Sequence, residues 1–280
     1  MKGNTTMTPI VDYVEIRKEE LRRAFDNFRE ANGRKARLAI IQVGDNQASN
    51  AYVKGKLKDA ESMSVETTLF KYADDEDALE HTYNLLDNLN NDETINGILV
   101  QLPLPDGFDV KSIIEHISSE KDVDGFTRMS NVIPCTPRGV LDYMSYNDMN
   151  VVGKHCTIFG HSDIVGKPLA NTLMSKRAIV SVLNSSVDEN LKRELLASSD
   201  YVFVAVGKRN VITHEYKLKK DAIVFDIGIN RDENNKLIGD CERGLDVMYQ
   251  SPVPKGVGLL TRIALYDNLL ELIKREENKK

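Results

Sequence analysis

Basic residues are in deficit in this 280-residue chain: 37 lysines and arginines stand against 43 aspartates and glutamates, a formal charge of −6. A nucleic-acid binder needs basic patches to neutralise phosphates, so this balance argues against one. Long apolar runs are missing as well. Runs such as Ile95–Val100 and Ala222–Phe225 are far short of the roughly 20 residues that cross a bilayer. The cysteines Cys135, Cys156 and Cys241 are odd in number, widely spaced and never paired as C-x-x-C. They fit a reducing compartment and give neither a disulfide framework nor a zinc motif. The histidines form no H-E-x-x-H or His–Cys cluster, so no metal site is expected. Ser162 lacks the G-x-S-x-G elbow of a serine hydrolase. The segment Met1–Thr6 leads into a charged, helix-like stretch without an apolar signal region. These absences predict a soluble cytoplasmic protein with no nucleic-acid or membrane partner. What is present is 41% hydrophobic and 29% charged residues, enough for a sizeable core and, at this length, for two domains.

The first half alternates helix and strand. Residues 11–32 read as an amphipathic helix, with Val14, Leu21, Phe25 and Phe28 recurring at helical spacing. Arg37–Gly44 reads as a buried strand, 48–63 as a helix, 65–72 as a strand, 77–89 as a helix, and Ile95–Val100 as another buried strand. This alternation indicates a parallel sheet with crossover helices. Pro103 and Pro105 then turn Gln101–Pro105 into a loop at the end of a buried strand, where open α/β sheets place ligands. A second α/β series begins near Lys154, with strands expected at 155–159, 179–183, 201–206 and 222–227. A packed helix closes the chain over 259–274, and the charged 274–280 tail is expected to fray.

In the second series, strand 155–159 runs into Gly160-His161-Ser162-Asp163-Ile164-Val165-Gly166, followed by a helix expected from Leu169. Glycine at a strand end permits a tight turn, and a helix N-terminus favours an anion, so Gly160, Ser162 and Gly166 form a candidate nucleotide site. The spacing is G-x-S-x-x-x-G and not the dinucleotide fingerprint G-x-G-x-x-G, and an ordinary βα turn can carry it. At the end of the next strand an acid would suit NAD and an arginine NADP. Asn184-Ser185-Ser186-Val187 offers neither, and Lys176 and Arg177 belong to the opposite end. Local chemistry therefore leaves the cofactor open. In the first half, Tyr52 and Lys56 share one helical face and could polarise an oxygen and shuttle protons. The same spacing is common on solvated helices. Lys54 and Lys58 are expected to face solvent. A Y-x-x-x-K pair also marks short-chain dehydrogenases, but there it follows the nucleotide turn; here it precedes Gly160. Asp122-Val123-Asp124-Gly125 reads by itself as a turn.

In order along the chain stand Tyr52-Val53-Lys54-Gly55-Lys56, Gly97-Ile98-Leu99-Val100-Gln101-Leu102-Pro103-Leu104-Pro105 and Lys121-Asp122-Val123-Asp124-Gly125-Phe126. Pro134-Cys135-Thr136-Pro137-Arg138-Gly139, Gly160 to Pro168, Asp226-Ile227-Gly228-Ile229-Asn230-Arg231 and Pro252-Val253-Pro254-Lys255-Gly256-Val257-Gly258 follow. Together they resemble the bifunctional methylenetetrahydrofolate dehydrogenase/methenyltetrahydrofolate cyclohydrolase (FolD) family over nearly the whole chain. The resemblance implies an α/β fold with an N-terminal catalytic domain (1–138 and 263–280), a Rossmann-like nucleotide-binding domain (139–262), and a C-terminal helix returning to the first domain. It further implies a homodimer, a folate substrate held in a cleft between the domains, and NADP, or alternatively NAD, as cofactor. By the same resemblance Lys56 is the acid–base residue, Tyr52 lines the pterin pocket, Gln101 positions the lysine, and Asp124 anchors the pterin. Leu102, Pro254 and Gly258 border the substrate, while Gly160, His161, Ser162, Gly166, Ser185 and Ile229 fall where the family holds NADP. The reactions implied are oxidation of 5,10-methylenetetrahydrofolate and hydrolysis of the methenyl product to 10-formyltetrahydrofolate, a step of one-carbon metabolism.

The chain departs from the family pattern mainly at the nucleotide. His161 stands where G-R-S has arginine, and Asn184-Ser185-Ser186-Val187 replaces H-S-R-T, so two positive charges are absent. The stretch 127–133 is shorter than usual, and Lys255 and Leu259 replace a glycine and a proline. These differences keep two alternatives in play: a relative with NAD preference or mainly cyclohydrolase activity, and a non-catalytic folate-binding protein. A shikimate-dehydrogenase-like oxidoreductase is the further alternative from architecture alone.

Overall fold

A computed structural model describes residues 7–279. Residues 1–6, in which no apolar leader was read, and Lys280 lie outside the described residues. The chain divides into two compact units, one of 15–135 with 262–279, the other of 7–14 with Thr136–Thr261.

The first unit carries most of α1 (Ile10–Asn32), then β1 (Arg37–Val43), α2 (Gln47–Ser62), β2 (Glu66–Tyr72), α3 (Ala78–Asn91), β3 (Gly97–Val100) and the short α4 (Val110–Glu115). Its sheet has the order β2-β1-β3 and is parallel throughout. β1 and β3 are buried almost end to end, which is what a parallel strand covered on both faces requires and why these segments read as continuous apolar runs. β2, at the edge, is exposed at Glu66, Leu69 and Lys71 and half-buried elsewhere. Helix α2 starts because Asn46 caps it, its side chain accepting from the N–H groups of Ala48 and Ser49. Such a cap contributes about 1 kcal/mol.

The second unit carries α5 (Cys135–Tyr146), β4 (His155–Phe159), α6 (Gly166–Ser175), β5 (Ile179–Leu183), α7 (Glu189–Ser198), β6 (Tyr201–Val204) and β7 (Ile223–Asp226). A hairpin of β8 (Asn230–Arg231) and β9 (Leu237–Ile238), the strand β10 (Tyr249–Gln250) and the start of α8 (Val257–Glu277) complete it. The five-stranded sheet has the order β10-β7-β6-β4-β5, all parallel. Strand order therefore reverses at β4, whose C-terminal end is the place where doubly wound sheets bind ligands. Residues 7–14, which the resemblance assigns to the catalytic domain, group with this unit because Thr8 bonds Asn147 and Tyr143. The Tyr13 ring also packs edge-on against Tyr143 at 5.4 Å.

The C-terminal helix does return to the first unit. From Arg262 onward α8 packs there, with Arg17 Nε donating to Asp267 at 2.9 Å and Arg262 Nε to Asp59 at 2.7 Å. The charged tail departs from expectation: it stays helical through Glu277. Lys274 and Arg275 sit in the last turn, where cations favour the helix dipole, and Arg275 also pairs with Glu271 one turn earlier.

Candidate active site

Helix α2 buries Val53, Lys56, Asp59 and Ala60 and leaves Lys54 and Lys58 exposed. Lys56 is thus not a lysine on a solvated face: only 9% of it is accessible. Its Nζ donates to Gln101 Oε1 at 3.1 Å. The Gln101 amide is itself oriented, since Nε2 donates to the Leu102 carbonyl at 2.5 Å and leaves the oxygen facing the lysine. Gln101 comes directly off the end of β3, so the sheet fixes its place. Tyr52, one turn before Lys56, is half-buried, and burial pushes its phenol up while the Arg262 guanidinium holds it back.

The acidic pair separates into different tasks. Asp122 is the turn-former: its carboxylate accepts from the N–H groups of Gly125 and Thr127 and from the Thr127 hydroxyl, all within 3.0 Å. Asp124 is free of that task. Burial raises its carboxyl, the Lys56 charge opposes the rise, and Asp122 adds to it. The short stretch after Phe126 closes back at once, with Cys135 N donating to the Asp124 carbonyl at 3.2 Å and Cys135 Sγ to the Val123 carbonyl at 3.3 Å. Burial and the neighbouring Asp124 carboxylate push the Cys135 thiol well up, so it is no nucleophile. Lys56, Gln101, Leu102, Tyr52 and Asp124 therefore lie in one unit, with an amide-oriented lysine in the field of a half-buried carboxyl, an arrangement suited to moving protons. Pro254 and Gly258 fall in the second unit, just before and on the first turn of α8.

In the second unit Gly160 follows β4 at φ +102°, where side chains are rarely tolerated, and a Cβ there would overlap the Ala205 carbonyl. Gly166 begins α6, earlier than the expected Leu169, and a Cβ on it would collide with the backbone of Gly160. The turn between them is folded tightly: the Ser162 hydroxyl accepts from Val165 N at 3.2 Å, and its carbonyl accepts from Lys167 N at 3.0 Å. No side chain caps α6 at Val165. His161, Ser162 and Ser185 are exposed, as is Ile229 after β7. A glycine turn, an N-terminus without a side-chain cap at the switch strand, and an exposed hydroxyl at the end of β5 fit a dinucleotide. Beyond β5, Asn184 Oδ1 is used by Ser186 N, and Asp188 by the N–H groups of Asn190 and Leu191.

Residues 12–124 match the profile for the tetrahydrofolate dehydrogenase/cyclohydrolase catalytic domain, and 134–277 the profile for that family's NAD(P)-binding domain. The chain belongs to the tetrahydrofolate dehydrogenase/cyclohydrolase family. Among family members, a bifunctional protein FolD of Bacillus cereus is 42% identical over 250 residues, spanning 85% of this chain and 86% of that one. The crystal structure of the bifunctional FolD dehydrogenase/cyclohydrolase of Campylobacter jejuni superposes with a TM-score of 0.89 at 34% identity, covering 94% of this chain and 96% of that one. A Trypanosoma brucei FolD dehydrogenase-cyclohydrolase, complexed with NADP and an inhibitor, gives 0.87 at 26% identity over 95% and 96%.

Several residues that shape this family member's sites escaped the sequence. Asp240 is fully buried and holds three donors: Val206 N at 2.7 Å, Gly207 N at 2.9 Å and Asn230 Nδ2 at 2.8 Å. Asp226, at the end of β7, in turn accepts from the N–H groups of Asp240 and Cys241, and burial lifts its carboxyl to about 6. Two linked carboxylates thus tie the loops after β6 and β7. The one signal in the sequence is the Gly239-Asp240 pair, because only glycine leaves room there for the Asp226 carboxylate. Among the described residues no group of three or more His, Cys, Asp or Glu forms a metal cage. Among the described residues no helix is long and apolar enough to cross a membrane.

Proposed function

We propose that this chain oxidises 5,10-methylenetetrahydrofolate to 5,10-methenyltetrahydrofolate with NAD(P) and hydrolyses that product to 10-formyltetrahydrofolate, using Lys56 as the acid–base residue. The observation that carries the assignment is the buried Lys56 held by the oriented Gln101 amide, in the field of Asp124. In the hydrolytic step Lys56 takes a proton from water as oxygen bonds to the methenyl carbon. Proton delivery to N5 then accompanies cleavage of the C–N5 bond, leaving the formyl group on N10 and releasing one proton overall. Tyr52 and Leu102 border the pterin, and Asp124 anchors it through hydrogen bonds. When bound, the nicotinamide supplies hydride acceptance, and the protein's part is alignment.

We assign the folate to the first unit and the nucleotide to the second, on Gly160, His161, Ser162, Gly166, Ser185 and Ile229. NADP is the cofactor we favour, in keeping with the NADP-complexed trypanosomal relative. A second reading, NAD preference, is favoured by one observation: Asn184–Asp188 after β5 carry no guanidinium, and Oδ1 of both Asn184 and Asp188 accepts from backbone N–H groups. Methylenetetrahydrofolate oxidation by purified protein, with NADP in one cuvette and NAD in another, separates the two. Turnover with neither would leave a cyclohydrolase or a folate-binding protein. We further propose a cytoplasmic homodimer. Ile179 and Val182 stand 60% and 46% exposed on the edge strand β5, which supports association there. Light scattering that gives the monomer mass across micromolar concentrations would reject the dimer.

A further inference from the structure

We infer that helix α8 sets the separation between Lys56 and Asp124, with Tyr266 and Asn268 as positioning residues for that pair. The inference rests on the reading of Lys56 as the acid–base residue and names what holds it in register.

Lys56 stands on α2 and Asp124 in the loop closed by Cys135, and α8 bonds to both. The Tyr266 hydroxyl, fully buried, donates to the Lys56 carbonyl at 2.5 Å, and the Ala60 N–H points at the phenol oxygen. Residues 56 and 60 are the two ends of one α-helical rung, so the phenol enters the α2 ladder at the level of the lysine. One turn earlier on α8, Arg262 donates to the Gly55 carbonyl at 3.0 Å and pairs with Asp59. On the other side, the fully buried Asn268 amide donates to the Val123 carbonyl at 2.8 Å and the Ile133 carbonyl at 3.0 Å. It also reaches Cys135 Sγ at 3.5 Å. Those three groups bracket Asp124.

Two residues along an α-helix turn through roughly 200°, so Tyr266 and Asn268 face opposite ways. α8 is therefore a spacer with α2 on one side and the Asp124 loop on the other. The apolar residues Leu265, Leu269, Leu272 and Ile273 already supply its burial. An asparagine and a tyrosine hydroxyl buried among them instead fix one axial and rotational setting, because each must meet specific carbonyls. Sliding or turning α8 would shift Lys56 against Asp124. Misplacement by about 1 Å can reduce turnover on the order of a hundredfold.

The test uses the full-length protein with Tyr266→Phe, Asn268→Leu, the double variant and Lys56→Met, assayed for methenyltetrahydrofolate hydrolysis across pH. The expected result is a kcat about three- to tenfold lower for Tyr266→Phe and about ten- to a hundredfold lower for Asn268→Leu, with KM within about threefold. The pH profile moves in both, and the double variant loses less than the product of the single losses, because both act on one separation. Folded variants with wild-type kcat and pH profile, or with only KM raised, overturn the inference. If Asn268→Leu does not fold, Tyr266→Phe decides, since it removes a single oxygen. Activity retained by Lys56→Met would instead defeat the underlying assignment, a separate and distinguishable outcome.

Discussion

Replacing Asp240 by alanine removes the acceptor for Val206 N, Gly207 N and Asn230 Nδ2 together. A buried donor left without a partner costs about 1–3 kcal/mol, so the ceiling is near 9. The structure brings that down. Val206 and Gly207 are exposed and water can reach their N–H groups, while Asn230 Nδ2 keeps the Gly239 carbonyl at 3.1 Å. Removing one of two adjacent buried carboxylates also relieves repulsion with Asp226. We therefore expect a loss of about 2 kcal/mol in the stability of the second unit. The functional effect should be larger than that figure suggests, because the loop after β6 loses its anchor beside the Gly160 turn. NADP affinity should fall about tenfold or more, read by calorimetry and by NADPH fluorescence, which the absence of tryptophan leaves free of an indole background. Methenyltetrahydrofolate hydrolysis, which needs no nucleotide, serves as an internal control and should stay within about twofold. Unchanged NADP affinity alongside lost stability would refute the reasoning, and so would hydrolysis falling in parallel with nucleotide binding.

Gly97→Ala should destabilise the first unit by about 1–3 kcal/mol. Its Cβ would lie 2.9 Å from Leu269 Cδ1 and closer still to Val123, and denaturant unfolding measures the loss. Asp226 sets a pH dependence: its folded carboxyl lies near 6, above the ordinary value near 4, so the fold retains the proton that the unfolded chain gives up. Stability then declines by up to about 3 kcal/mol as pH rises from about 4 to about 6 and levels off above, and Asp226→Asn should flatten that slope in melting temperature against pH. Identical slopes in the two proteins would contradict it. The three thiols are buried, and burial raises each. The native protein at pH 8 should react only slowly with a disulfide reagent and release all three equivalents after denaturation.

Elements with a strong hydrophobic period were legible in the chain itself: α1, α2, α3 and the buried strands β1, β3, β4 and β5 lie within a few residues of their expected places. Helix α5 was not read because Pro137 and Gly139 interrupt its pattern, although proline in a first turn leaves the ladder intact. The helical spacing of Tyr52 and Lys56 put both on one face, but the burial of Lys56 comes from β3 and α8, which local pattern does not reveal. Asp122 and Asp124 look equivalent in sequence; only the turn that occupies Asp122 tells them apart. Tyr266, Asn268 and Asp240 act by reaching backbone groups far along the chain, which leaves no periodic signature. Family resemblance supplied the reaction, whereas the burial of Lys56 and its bond to the Gln101 amide are visible only in the packing.

The central claim is that Lys56 moves the protons of hydrolysis. The most direct measurement is the rate of methenyltetrahydrofolate hydrolysis by Lys56→Met, with circular dichroism and NADP binding confirming an intact protein. Loss of general acid–base catalysis predicts a fall of about 10²–10⁴-fold in kcat. A folded variant that hydrolyses the substrate at the wild-type rate would contradict the account.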